Sequence, residues 1–223
     1  MKISSRMQRN KGLTLVEVLV LIAILAVFFM MLLPATSTGG KPRVKRIRCV
    51  VDLKQIGEAE FNWANDHGGK FSFELSQTNG GTMEFTTGAN AWRHFQGLSN
   101  ALADPKILIC PADSDRHRKA STNFAMLSNS NLSYFVGLDS IEADPQGILF
   151  SDRNITNGTP IKNGILELTT NNPAGWTGEM HNKVGNLALS DGSVQQLSMT
   201  GLRITVENAG VSTNHLQMPI LGP

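Results

Sequence analysis

Sixteen consecutive residues without a polar side chain, Val18 to Leu33 (VLVLIAILAVFFMMLL), constrain this chain more than anything else in it. The apolar run reaches back to Leu13, interrupted only by Thr14 and Glu17, and totals twenty-one residues. At about 1.5 Å per residue, a helix of that length covers roughly 30 Å, the thickness of a bilayer's hydrocarbon core. A helix buried in a globular core is the competing reading. Such helices usually carry a polar face, and this segment shows none over about four turns. Pro34 ends or kinks the helix, and residues 35–43, with Thr36–Lys41 reading TSTGGK, form a linker.

The charge is small and unevenly placed. Twenty Lys+Arg against eighteen Asp+Glu leave +2, too little basic excess for a dedicated nucleic-acid partner. Lys2, Arg6, Arg9 and Lys11 put +4 into the first twelve residues and leave −2 for the rest. A basic segment before an apolar one also describes a secretory signal peptide, with Ala35-Thr36-Ser37 as its cleavage site. The length of the run and the presence of Glu17 count against that. A carboxylate in a membrane segment costs several kcal/mol unless neutralised or paired, so Glu17 calls for a positive partner at the same depth. Lys41, Arg43, Lys45, Arg46 and Arg48 form a second basic cluster, read either as a solvated helix face or as a contact for anionic lipid headgroups. With four positive charges before the apolar run and five after it, the positive-inside rule does not decide topology.

Lys11-Gly12-Leu13-Thr14-Leu15-Val16-Glu17 resembles the processing site of type IV prepilins and type II secretion pseudopilins. The resemblance implies a leader at 1–12, cut after Gly12 by a membrane-embedded prepilin peptidase, and methylation of the new amine at Leu13. It further implies an assembly and transmembrane helix at 13–34 and an extracytoplasmic domain at 44–223. Glu17 becomes the fifth residue of the mature chain, where the family's carboxylate pairs with the free amine of a neighbouring subunit. The physics agrees, since cleavage creates a positive amine in a low-dielectric setting where an opposite charge offsets desolvation. Leu13 stands where the family most often has Phe. The implied partners are the peptidase, other pilin or pseudopilin subunits and membrane lipid. The implied location is the inner membrane, single-pass, with the N-terminus inside.

The rest of the chain reads as α+β. Cys49, Val50, Leu53, Ile56, Phe61 and Ala64 share one face of a helix over Val44–Asn65, with Glu60 the exception on that face. Arg48, Asp52, Gln55, Asn62 and Asp66 fall on the other face, and Gly68-Gly69 stops the helix. Short runs follow, with strands expected at Phe71–Leu75, Met83–Thr87, Ile107–Cys110, Tyr134–Leu138, Ile148–Ser151 and Ile165–Thr169. Asn186–Ser190 and Ser193–Leu197 flank Asp191-Gly192, which predicts a hairpin with a two-residue type I′ turn. The fold expected is a long N-terminal helix packed on an antiparallel sheet.

His181 and Asp191-Gly192 form a His-x9-Asp-Gly pattern. Together with CVVDLKQIG at Cys49–Gly57 and CPAD at Cys110–Asp113, it resembles the signature of a group of prepilin-like proteins abundant in planctomycetes and verrucomicrobia. Two cysteines in an extracytoplasmic domain are a disulfide count, with two buried thiols as the alternative; a Cys49–Cys110 bridge ties the amphipathic helix to the Ile107 segment. His181, Asp191 and Glu179 have the side chains of a metal or acid/base site, but Asp191 already serves the turn and His181 precedes a strand, so a structural role is the expectation. Asp113, Asp115, Asp139, Asp144 and Asp152 are loop carboxylates without a calcium-loop pattern. Trp92, Trp176 and Tyr134 are expected to fill the core. No catalytic set, cofactor or metal is expected: the chain is a substrate of an enzyme rather than an enzyme. The readings that compete with a filament subunit are an anchored or exported ligand-binding module and an anchored hydrolase using His181.

Overall fold

A computed structural model describes residues 14–32, 40–172 and 174–221. The leader, Gly12, Leu13 and residues 33–39 lie outside the described residues. The chain divides into two units, Met1–Gly39 and Gly40–Pro223.

The first unit contains α1 (Leu15–Leu32). Its side chains from Leu15 to Met30 are exposed, Leu15 at 77% and Met30 at 75%. Eighteen residues cover about 27 Å at 1.5 Å per residue. Among the described residues, no helix is long and apolar enough to cross a membrane.

The second unit opens with α2 (Gly40–Asp66), four residues earlier than the periodicity predicts, so that residues 40–43 of the expected linker are helical. Pro42 is tolerated there because the first turn needs no backbone donor at that point. Next come α3 (Ala91–Gly97), β1 (Tyr134–Gly137), β2 (Ile148–Asp152), β3 (Ile155–Thr156), β4 (Ile165–Thr169), β5 (Gly175–Trp176), β6 (Gly185–Leu189), β7 (Val194–Leu197), α4 (Met199–Asn208) and β8 (Thr213–Gln217). Six strands form an antiparallel sheet in the order β4-β8-β1-β2-β6-β7, and β3 pairs with β5.

Helices cover both faces of this sheet. Cys49, Leu53, Ile56 and Ala64 of α2 and Phe95 of α3 join Tyr134, Val136, Phe150 and Ala188 in one core. Phe135, Leu187 and Leu189 point the other way and meet Leu202 and Val206 of α4. Successive strand side chains alternate between faces, so β1, β2 and β6, buried throughout, feed both cores.

Three expected strands are 3₁₀ turns instead: Ser72–Glu74, Met83–Phe85 and Pro105–Leu108. Each is fixed by local bonds that a strand would have to give up. The Glu74 carboxylate accepts the Phe71 N–H at 2.7 Å, and Asp104 accepts the Lys106 N–H at 2.9 Å.

The hairpin is present, but its turn is not type I′. Only Gly192 has positive φ, at 78°, and the Gly192 N–H donates to the Leu189 carbonyl at 3.0 Å. Leu189 pairs across to Ser193, making a three-residue loop in which a type I turn is followed by a left-handed glycine. Asp191 avoids positive φ because its carboxylate takes the Ser193 N–H at 2.8 Å.

Candidate functional site

At the start of α1, Thr14 and Glu17 close a reciprocal cap. The Thr14 N–H and hydroxyl donate to the Glu17 carboxylate at 2.8 and 2.9 Å, and the Glu17 N–H donates to the Thr14 hydroxyl at 3.4 Å. This T-x-x-E box satisfies backbone donors that the first helical turn leaves free, and it places the carboxylate at the helix's positive end. Sequence reasoning missed this cap, reading Glu17 only as an assembly carboxylate; its signal is the [ST]-x-x-[DE] spacing before an apolar run. Gly12 and Leu13 lie outside the described residues.

The second constellation is buried in the globular unit. Cys49 of α2 and Cys110 are joined by a disulfide, with Cα atoms 5.3 Å apart. Against it lies His181, whose Nε2 sits 3.3 Å from Cys110 Sγ, 3.2 Å from Asn186 Nδ2 and 3.4 Å from Asp152 Oδ2. The structure therefore does not bring His181 together with Asp191 or Glu179. Asp191 is in the hairpin turn, and Glu179 is an exposed partner of Arg153 at 2.7 Å. Asp152 is not a loop residue but the fully buried end of β2, and Asp52, expected on the solvent face of α2, is 2% exposed and bonded to Arg48 at 3.0 Å.

Burial dominates the electrostatics here. It pushes the Asp152 carboxyl up to about 7, against two hydrogen bonds from Asn186 that favour the ion. It holds His181 down to about 4, reinforced by the charge of Arg46, so the imidazole is neutral and Nε2 carries the lone pair that Asn186 meets. Burial and the neighbouring carboxylates of Asp152, Asp52 and Asp113 keep Tyr134 a neutral phenol.

The loop bearing His181 is strained. His181, Asn182 and Lys183 have φ of 43°, 53° and 63°, a left-handed run without glycine. Arg46 holds it by donating to the His181 carbonyl at 3.1 Å, and Asn154 by donating to the carbonyls of Thr177, Met180 and Val184.

Beside this cluster, the Asp113 carboxylate receives a bidentate grip from Arg153 at 2.7 Å and the Ser133 hydroxyl at 2.8 Å. Burial works to raise Asp113, but the guanidinium wins and holds it below the usual carboxylate range. Asp113 and Asp115 are thus spent on Arg153 and Arg118, and Asp139 on His215 at 3.0 Å. Gly192 has a packing reason beside its φ: the turn docks on α2, where Lys54 donates to the Gly192 carbonyl at 2.7 Å and an added Cβ would meet Phe61 at 3.3 Å. Tyr134 and Trp176 are buried and Trp92 packs against the core, as side chains that fill it. Sequence reasoning placed Asp152 among the loop carboxylates and gave Asn186 no role. Their only signal is polarity in otherwise apolar strands.

The description that matches this chain is the prokaryotic N-terminal methylation motif, over residues 7–33. No curated protein and no solved structure matches. The motif belongs to prepilin-like substrates of prepilin peptidase, and Thr14, Glu17 and α1 fall inside it.

Proposed function

We propose that this chain is a prepilin-like structural subunit that is cleaved after Gly12, N-methylated at Leu13, and assembled through α1 into a type II secretion pseudopilus or a type IV pilus-like filament. It is an enzyme's substrate with no catalysis of its own. Before assembly it sits in the inner membrane as a single-pass protein with the Gly40–Pro223 unit extracytoplasmic. The observation that carries this reading is the methylation motif at residues 7–33, which coincides with an apolar helix whose single charged residue is Glu17. In hydrocarbon, such a helix gains by packing against equivalent helices, and an ion pair between Glu17 and a neighbour's Leu13 amine sets their axial register.

Intact-mass and N-terminal peptide spectrometry on protein from native membranes tests it. A chain that begins at Leu13 with one added methyl group supports the subunit reading. A chain that begins near Thr38, or still at Met1, moves the assignment to an exported or anchored extracytoplasmic ligand-binding module.

A further inference from the structure

Three ligand-type atoms converge beside the sheet. Cys49 Sγ, Cys110 Sγ and His181 Nε2 all lie within 4.8 Å of one another. The Asp152 carboxylate extends the set, 3.4 Å from the same imidazole nitrogen that lies 3.3 Å from Cys110 Sγ. Two of these separations fit edges of a tetrahedron: with zinc–nitrogen and zinc–oxygen bonds near 2.0–2.1 Å and zinc–sulfur near 2.3 Å, the N···S edge is about 3.5 Å and the N···O edge about 3.3 Å, while the two sulfurs, bonded to each other here, must part on reduction to an S···S edge of about 3.8 Å. We propose that the reduced chain binds one Zn(II) at this place through the Cys49 and Cys110 thiolates, His181 Nε2 and the Asp152 carboxylate, so that disulfide and metal are alternative fastenings of the same elements.

Two further observations point to a ligand. Asp152 Oδ2 is oriented by the Asn186 backbone and side-chain N–H groups at 2.7 and 2.8 Å, the kind of outer support that fixes a ligating carboxylate. Asp152 Oδ1, on a residue with no exposed surface, has no hydrogen-bond partner among the described residues, and neither has the buried hydroxyl of Tyr134, its cross-strand neighbour. An apolar core has no use for such spare acceptors.

The chemistry balances. An external dithiol gives two electrons and two protons to the Cys49–Cys110 bond and becomes a disulfide itself, leaving two thiols. Zn(II) then displaces both thiol protons to solvent. Two thiolates, one carboxylate and one Zn(II) sum to −1. The Arg46 guanidinium, which donates to the His181 carbonyl at 3.1 Å, stands beside that charge. Asn186 Nδ2 releases Nε2 and keeps Asp152. The metal then joins α2, the Cys110 segment, the His181 loop and β2 when the disulfide is absent.

The test uses the full chain in detergent micelles, reduced, freed of reductant without air, and titrated with Co(II) alone and then with Zn(II). The expected result is one equivalent of Co(II) with thiolate charge-transfer and tetrahedral d–d absorption, displaced by Zn(II), and no such spectrum from the oxidised chain. His181→Gln and Asp152→Asn should each weaken binding at least about tenfold, and Cys110→Ser should remove the two-thiolate spectrum. X-ray absorption of the zinc-loaded wild-type chain should show two sulfur and two lighter ligands, a reading independent of whether any variant folds. A reduced chain without the cobalt spectrum, equal uptake by the oxidised chain, or a zinc shell lacking sulfur would overturn the proposal. Undiminished binding in Asp152→Asn would overturn the four-ligand set.

Discussion

Glu60 sits on the apolar face of α2 with no exposed surface, and its carboxylate is reached by the Ser72 N–H at 2.5 Å and the Ser72 hydroxyl at 3.1 Å. Two donors do not replace bulk water. Burial pushes the group from 4.5 up to about 7, with Glu74 adding a little in the same direction. Between those values the folded chain holds a proton that the unfolded chain has lost, so stability falls as pH rises. The contribution is fully present below 4.5 and gone once pH passes about 7, and the difference amounts to about 3 kcal/mol. Glu60→Gln keeps the shape and an acceptor for the Ser72 N–H but cannot ionise. It carries a constant offset of about 1 kcal/mol from the extra amide hydrogen left unpaired. Urea unfolding of the Gly40–Pro223 unit, followed by tryptophan fluorescence, should therefore show the variant gaining about 3 kcal/mol on wild type between about pH 4 and pH 8. A difference between the two proteins that stays flat across that range would refute the reasoning, because it arises from the raised titration of Glu60, which Glu60→Gln removes.

His94 supplies the opposite slope. Burial holds it down to about 4, and it bridges the Thr82 hydroxyl and the Gln217 side-chain carbonyl, each at 2.6 Å. Its share of stability is present above 6.5 and is lost as pH falls toward 4, and NMR of the imidazole should show a neutral ring at about pH 5.5. Removing the disulfide with Cys49→Ser and Cys110→Ser, in metal-free buffer, should cost about 4 kcal/mol for a loop of 61 residues, read as a lower denaturation midpoint. Gly192→Ala places a Cβ at φ 78° and 3.3 Å from Phe61, and should lower stability by about 1–2 kcal/mol in the same assay. Glu17→Ala and Glu17→Gln should leave the chain inserted and cleaved while filament incorporation drops; normal incorporation of both in a native-membrane filament preparation would remove the register role.

What this sequence determines by itself is local and periodic. The apolar run before Pro34 dictates α1, the T-x-x-E pair dictates its cap, the spacing of Cys49, Leu53 and Ile56 dictates α2, and Asp191-Gly192 dictates a reversal between β6 and β7. Such features are legible because their interactions lie within a few residues of one another. Tertiary structure decided the rest. Thr213–Gln217 has little strand character, yet as β8 it occupies the slot between β4 and β1, where its neighbours' free backbone groups impose the conformation. Glu60 and Asp52 read as a blemish and a solvent residue until Ser72 and Arg48 explain them. The cluster around His181 was least legible of all. Its members come from α2, the Cys110 segment, β2 and the loop before β6, and only the folding of the sheet against α2 gathers a histidine, two sulfurs and a carboxylate that lie far apart along the chain.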